Sequence, residues 1–244
     1  MASGAFVLIA LLTLRDRALP RLKRPNLPAV TGLSLYMLGF SFAYVAMDAG
    51  LGALILFGGV QLTMFAGSVL AGNRPPIQRW IGMLVSMTGL AVLSFPSQSV
   101  SVDPAALMLM AIAAIGWGIY SLVGTKVNDP IAASAWNFFY TLPAVLVVFW
   151  LVPDDVVATT EGLILAILSG AITSALGYAL WYMLLPQLGA TKSALSQLSV
   201  PAIALAMGAA LLGETVSMVA VCAAFLILGG ICIGLLPISA EKKG

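Results

Sequence analysis

The chain has 244 residues, of which 61% are apolar and 8% are charged, with a formal net charge of +2. Soluble domains carry about 25% charged residues, so this composition excludes a soluble globular protein. The small net charge gives no reason to expect a nucleic-acid partner. Histidine, the commonest general base and metal ligand, is absent. The two cysteines, Cys222 and Cys232, share one apolar stretch and predict neither a metal site nor a redox pair, so we expect no cofactor.

Glycine, proline and charged residues divide the chain into nine apolar stretches. A helix of about 20 apolar residues crosses the roughly 30 Å hydrocarbon layer, so we interpret the stretches as transmembrane helices. The sequence therefore predicts an all-α integral membrane protein, a polytopic bundle of about nine transmembrane helices. In chain order the stretches cover residues 2–14, 28–47, 51–71, 79–95, 105–124, 131–151, 162–185, 190–212 and 216–236.

The loop charges predict how this bundle is oriented. With nine spans, all eleven basic residues fall on one side of the membrane, from Arg15 in the first loop to Lys243 in the tail. Because cytoplasmic loops are enriched in lysine and arginine, we expect a multi-pass protein of the inner or plasma membrane with a cytoplasmic C-terminus. The opposite side carries acidic residues, namely Asp48, Asp103, Asp154, Asp155, Glu161 and Glu214.

An internal repeat relates the two halves of the chain. A shift of 141 residues places Gly89 on Gly230 and Pro96 on Pro237, and it aligns helix ends in the same order. Repeats with an odd number of helices insert in opposite senses, which is the inverted-repeat design of many secondary transporters. The first stretch, with about 13 apolar residues, is too short to cross alone. We therefore expect two inverted five-helix repeats with the first helix missing, namely 1–97 and 98–238, followed by a cytoplasmic tail at 239–244.

Four segments carry a resemblance to a known family: GALILFGGVQLTMFAG at 52–67, GWGIYSLVG at 116–124, GYALWYMLLPQLGATKSALSQLSVPAIA at 177–204 and ALLGE at 210–214. The chain resembles the EamA-like branch of the drug/metabolite transporter superfamily over almost its whole length. That resemblance implies a ten-helix carrier built from two five-helix repeats. The family's loop glutamate corresponds to Glu214 in the second repeat, whereas the first repeat has Asn73 there.

Polar and aromatic residues near the middle of the spans are the first candidates for a substrate site, because an unpaired polar group in hydrocarbon is costly. Each candidate has a structural alternative. Tryptophan and tyrosine also form belts at the membrane interface, which we favour for Tyr182. Glutamine and asparagine also form hydrogen bonds between helices. The candidates for substrate binding are Gln61, Trp117, Tyr120, Asn137, Tyr140, Tyr178, Trp181 and Gln197.

Three further residues are candidates for hinges or gating. Pro143 and Pro201 lie within spans, where a proline frees a carbonyl and bends the helix, although both also fit a purely packing role. Glu214 precedes a helix whose N-terminal dipole favours a carboxylate, so capping is its simpler interpretation. Gly230 and Gly234 form a small-xxx-small pattern, which is typical of close helix packing.

The resemblance implies a secondary transporter that exports a small metabolite or drug-like molecule by alternating access, with the small molecule and the lipid bilayer as its partners. Two alternatives stay open. The first is a non-transporting remnant, or a subunit that needs a partner helix. The second is a membrane-embedded lipid enzyme, which is disfavoured because its chemistry needs clustered carboxylates, metal ligands or a nucleophile with a base. The acidic residues of this chain are scattered over separate loops.

Overall fold

The computed structural model describes residues 1–18, 20–94, 103–152, 159–213 and 215–236. Within those ranges the chain is helical and contains no strand. The helices are α1 (Ala2–Asp16), α2 (Leu27–Ala43), α3 (Ala49–Leu70), α4 (Ile77–Ser94), α5 (Pro104–Gly124), α6 (Pro130–Leu151), α7 (Thr160–Leu168), the π-helical segment π1 (Ser169–Leu176), α8 (Gly177–Leu188), α9 (Ala190–Gln197), α10 (Ser199–Leu212) and α11 (Met218–Leu235).

Among the described residues, seven helical spans are long and apolar enough to cross a membrane. They are α3, α4, α5, α6, the continuous run α7–π1–α8, the pair α9–α10, and α11. The apolar helix α2 has 17 residues, or about 25 Å at 1.5 Å per residue, and α1 has 15. These helices follow the predicted stretches closely, so the prediction of an all-helical membrane bundle is confirmed. The largest difference at a single boundary is at the end of the second stretch, which was predicted to reach residue 47, whereas α2 ends at Ala43.

Local sequence signals explain where the helices begin. Five of them start after a residue whose side-chain oxygen accepts a hydrogen bond from a backbone N–H of the first turn, which satisfies a donor that the helix leaves unpaired. Proline occupies one of the first two positions of α2, α5 and α6, where its missing N–H costs nothing. The capping residues are Asn26, Asp103, Asp129, Thr159 and Ser217.

Close helix contacts depend on glycine. A Cβ added at Gly82 of α4 would lie 2.5 Å from the carbonyl oxygen of Gly230 in α11, and one at Gly89 would lie 2.8 Å from that of Ala223. The buried Ser86 hydroxyl donates a 2.9 Å hydrogen bond to the Ile227 carbonyl between these two contacts. Lipid tails are as apolar as leucine, so membrane helices associate through such van der Waals contacts and interhelical hydrogen bonds. Small residues therefore fix the antiparallel packing of α4 on α11.

The loops and helix ends that carry basic residues lie at one end of the bundle, here called the basic end, where polar contacts join them. Arg15, at the end of α1, binds Asp129, at the start of α6, through two hydrogen bonds of 2.7 and 2.9 Å. The neighbouring guanidinium lowers the pKa of Asp129, which therefore stays ionised while it also caps α6. Arg79, at the start of α4, donates a 3.1 Å hydrogen bond to Thr191, at the start of α9.

The opposite end of the bundle, here called the acidic end, contains Asp48, Asp103 and Glu161, which stand at the starts of α3, α5 and α7. The start of α3 meets the end of α4 there, because a Cβ added at Gly50 would lie 3.7 Å from Ser94. Helix α5 runs parallel to α3 from this end. The charge separation expected from the loops is thus present between the two ends of the described bundle.

Candidate functional site

A cavity of about 350 Å³ opens inside the bundle, between its middle and the acidic end. Its volume is within the range of small-molecule sites. Its walls come from α2, α3, α5, α8, α9 and α10, so both halves of the chain contribute. The residues that line this central cavity are Tyr36, Phe40, Tyr44, Leu56, Phe57, Val60, Trp117, Tyr178, Gln197 and Val200.

One wall of the central cavity is an aromatic face of α2. Tyr36, Phe40 and Tyr44 follow one another at four-residue spacing, which places them on the same side of a helix. Their ring centroids are 5.4 Å apart for Tyr36 and Phe40, and 4.7 Å apart for Phe40 and Tyr44. The ring of Trp117 in α5 packs directly against that of Tyr36, with centroids 4.6 Å apart, and against that of Tyr178 in α8, with centroids 4.9 Å apart. These centroid separations are typical of favourable aromatic pairs.

The main polar contact of this cavity joins α5 to α9. The indole N–H of Trp117 donates to the side-chain oxygen of Gln197, and the Gln197 amide nitrogen lies 3.4 Å from the sulfur of Met64 in α3. Gln197 is the last residue of α9, and α10 begins at Ser199. Pro201 accounts for this interruption, because it has no N–H to bind the carbonyl four residues earlier, which belongs to Gln197. The helix break therefore lies at the cavity wall.

A second cavity, of about 310 Å³, lies at the basic end. Lys23, Arg24 and Asp129 line its mouth, and Asn137 and Tyr182 line its inner part. We call this the basic-end cavity.

A buried hydrogen-bonded group separates the two cavities. Tyr182 donates a 3.0 Å hydrogen bond to the Tyr120 carbonyl, and Asn137 donates a 3.3 Å hydrogen bond to the Tyr182 hydroxyl. The Tyr120 ring centroid lies 4.5 Å from that of Tyr182 and 5.5 Å from that of Trp117. These three residues, here called the partition, lie between the central cavity and the basic-end cavity.

The structure brings five of the eight predicted substrate-site residues to this region. Trp117, Tyr178 and Gln197 line the central cavity, Asn137 lines the basic-end cavity, and Tyr120 is buried between the two.

The other three predicted substrate-site residues lie elsewhere. Gln61 is 1% exposed, and neither of its side-chain polar atoms has a hydrogen-bond partner among the described residues. The Tyr140 hydroxyl donates to the backbone carbonyl of Lys23, and the Trp181 indole donates to the Ser121 hydroxyl at 3.1 Å. None of the three lines the central cavity.

The candidate hinge residues also differ in their placement. Pro143 is exposed within α6, which continues unbroken around it, whereas Pro201 is buried beside the helix break. Glu214 lies outside the described residues. The membrane-interface interpretation is wrong for Tyr182, because its side chain is fully buried and hydrogen-bonded inside the bundle.

The aromatic face of α2 is not among the site residues predicted from the sequence. The predicted site residues were polar and aromatic groups near span centres; Tyr36 meets that criterion but was not among them, and Phe40 and Tyr44 lie toward the helix end. The signal was nevertheless present, since Tyr36, Phe40 and Tyr44 repeat at the spacing that lines one helix face.

Comparison with known proteins identifies the family. Residues 104–236 match the EamA-like transporter family. An uncharacterized protein of Pseudomonas aeruginosa is 41% identical over 241 residues, which cover 96% of this chain and 81% of that protein. A probable amino-acid metabolite efflux pump of Salmonella typhimurium is 27% identical over 234 residues, which cover 86% of this chain and 78% of the pump.

A solved crystal structure has the same fold, with a TM-score of 0.81 at 17% sequence identity, covering 96% of this chain and 85% of the other. At that identity the likeness concerns the fold alone. The family match, the relatives and the apolar helices agree that this is a multi-pass membrane transporter. The chain belongs to the EamA-like transporter family.

Proposed function

We propose that the protein is a secondary transporter that exports a small amphipathic metabolite or drug-like molecule across the inner or plasma membrane by alternating access. The observation that carries this proposal is the central cavity, which has the size of a small-molecule site and draws its walls from both halves of the chain. Apolar and aromatic walls with a few oriented polar groups suit an amphipathic substrate. Of the residues selected from the sequence, Trp117, Tyr178 and Gln197 are the proposed binding residues.

The two halves, 1–97 and 98–238, are proposed as inverted repeats. Support comes from contacts between residues that are 141 positions apart, because such pairs meet near a two-fold axis that relates the halves. The Tyr178 hydroxyl contacts the sulfur of Met37 at 3.8 Å, and Ser86 binds the Ile227 carbonyl. The two glycine contacts between α4 and α11 are related by the same shift. Adding 141 turns Gly82 into Ala223 and Gly89 into Gly230, so the contact of Gly82 with Gly230 corresponds to that of Gly89 with Ala223.

Alternating access would open and close the partition between the two cavities. In the arrangement seen here, Tyr120, Asn137 and Tyr182 separate the central cavity from the basic-end cavity. All three residues belong to the half 98–238, so α5, α6 and α8 would have to shift against one another to break these contacts and expose the central cavity to the basic end. Pro201 is the proposed hinge, because the helix already breaks beside it.

Orientation follows from the same charge separation. We propose that the basic end faces the cytoplasm, because positively charged loops are retained there. A reporter fused after Gly244 is expected to be active as a cytoplasmic fusion, and one inserted at Asp154 as an external fusion. Both positions lie outside the described residues. Finding both reporters on the same side would contradict the proposed topology.

Transport itself can be tested by comparing cells that express the chain with cells that carry an empty vector. A panel of labelled amphipathic metabolites and drug-like compounds is loaded into both, and efflux is followed over time. At least one compound is expected to leave the expressing cells faster and to be retained when the cells are de-energised. Equal efflux of every compound from both cells, with the protein present in the membrane, would count against a transporter.

A further inference from the structure

We propose that a third cavity of the bundle binds the phosphate headgroup of an anionic phospholipid. This cavity has a volume of about 260 Å³ and lies where α3 and α8 end and where α4 and α9 begin. We call it the arginine cavity. It shares no lining residue with the central cavity or the basic-end cavity, and its proposed role goes beyond the transport of a substrate.

Positive charge gathers in the arginine cavity without an acidic partner. Arg74 and Arg79 both line it, and its described lining residues include no aspartate or glutamate. The Arg79 guanidinium donates a 3.1 Å hydrogen bond to the hydroxyl of Thr191, which is 4% exposed. Neither arginine forms an ion pair within the described part of the chain. Because planar guanidinium groups bind phosphate oxygens through paired N–H donors, two such arginines at one cavity indicate a phosphate ligand.

The start of α9 adds to this positive charge. Helix α9 begins at Ala190, and no side chain caps it. The first backbone N–H groups of a helix have no partner within the helix, and that end carries a partial positive charge. Ala190 and Thr191 line the cavity, so this helix end lies at its wall. Thr191 holds the Arg79 guanidinium against it, and a bound anion would offset the repulsion between the two positive groups.

A buried hydroxyl group supplies a further donor. Ser68, in the last turn of α3, lines the cavity and is 5% exposed. No hydrogen bond from its hydroxyl reaches another described residue, whereas Thr63 on the same helix donates to the Gly59 carbonyl at 2.7 Å. Buried polar groups normally have a partner. A phosphate oxygen inside the arginine cavity would accept the hydrogen bond that Ser68 leaves free.

Apolar surface beside the cavity favours a lipid as the source of the phosphate. Ile77, Ile81 and Leu84 are 65%, 45% and 61% exposed, and their spacing places them on one face of α4. This face begins in the first turn of α4, next to the cavity, so the acyl chains of a bound lipid can lie along it. Basic pockets between transmembrane helices on the cytoplasmic side bind anionic headgroups, and the proposed topology puts the basic end on that side.

Short-chain lipids separate the charge of the headgroup from the contacts of the acyl chains. Dioctanoyl phosphatidylglycerol, dioctanoyl phosphatidylcholine or glycerol 3-phosphate is added to the purified full chain in a neutral detergent. The apparent affinity is obtained from the rise of the unfolding temperature with concentration. Phosphatidylglycerol is expected to bind at least about tenfold more tightly than phosphatidylcholine, whose choline group offsets the phosphate charge. It is also expected to bind more tightly than glycerol 3-phosphate, which has no acyl chains.

Two results would overturn the proposal. Equal affinity for the two lipids would mean that the protein selects acyl chains and not the anionic headgroup. Equal affinity for phosphatidylglycerol and glycerol 3-phosphate would make the cavity a site for free phosphate compounds and not for a lipid. Because binding is measured on the purified chain, neither result depends on whether the protein transports a substrate or on its orientation in the membrane.

Arginine variants test whether the lipid binds in this cavity. Arg74→Gln and Arg79→Gln are each expected to weaken phosphatidylglycerol binding by about tenfold, because each removes a charged donor from the cavity. Arg21→Gln is the control, since this exposed residue has the same charge and lies outside the cavity. Arg74 is also exposed, so Arg74→Gln decides the question if Arg79→Gln does not fold. Unchanged binding by Arg74→Gln, or an equal loss by Arg21→Gln, would overturn the proposal.

Discussion

Gly230→Ala is expected to destabilise the folded protein by about 1–3 kcal/mol, because the added methyl group has no space in the contact between α11 and α4. Its Cβ would lie 2.5 Å from the backbone nitrogen of Ser86 and 2.7 Å from the carbonyl oxygen of Gly82. Both are backbone atoms, so neither can move aside unless the two helices separate. That separation would also stretch the hydrogen bond from Ser86 to Ile227. Thermal unfolding in detergent, followed by chromatography of the remaining monodisperse protein, measures the loss.

The adjacent residue provides the control. A Cβ added at Gly229 would meet no atom within 4 Å. Within a helix, alanine is more favourable than glycine by about 1 kcal/mol, so Gly229→Ala is expected to leave the stability of the folded protein unchanged or raise it slightly. The two variants differ by one position and contain the same added atom. An equal unfolding temperature for both would contradict the packing described for α4 and α11.

Trp117→Leu and Gln197→Leu are expected to lower transport by at least about tenfold, which corresponds to about 1.4 kcal/mol of lost binding or transition-state stabilisation. The first removes a ring from the cavity wall, and the second leaves the Trp117 indole without its acceptor. Because one side of each residue faces open space, fewer packing contacts are lost than in a filled core, and membrane expression is expected to stay close to that of the unmodified chain. Efflux per molecule of membrane-inserted protein is the measurement.

Two further tryptophan variants show whether the effect depends on the cavity. Trp150→Leu is expected to have no effect, because its side chain lies on the outer surface of the bundle. Trp181→Leu removes a hydrogen bond to Ser121 outside the central cavity, so we expect expression and transport to fall together. A matched fall of expression and transport for Trp117→Leu would instead make Trp117 a packing residue, and the substrate site would have to lie elsewhere.

The sequence by itself determined the protein class, the approximate span limits and the separation of charges. These depend on local properties, since any run of about 20 apolar residues must satisfy its backbone within a helix in the bilayer. The 141-residue shift was likewise visible along the chain, and residues at that spacing meet in the structure, as Ser86 and Ile227 do. The positions of Trp117 and Gln197 near span centres were sufficient to select them as candidates.

Only the tertiary structure decided which polar and aromatic side chains share a cavity. In a span that is apolar all around, periodicity does not show which face meets another helix and which meets lipid. For that reason Tyr182, expected at the membrane interface, proved to be buried against Tyr120, and Gln61 proved to be buried away from the cavity that Gln197 lines. The aromatic face of α2 became a cavity wall because close glycine contacts hold α2 against α5, and those contacts join residues that lie far apart in the sequence.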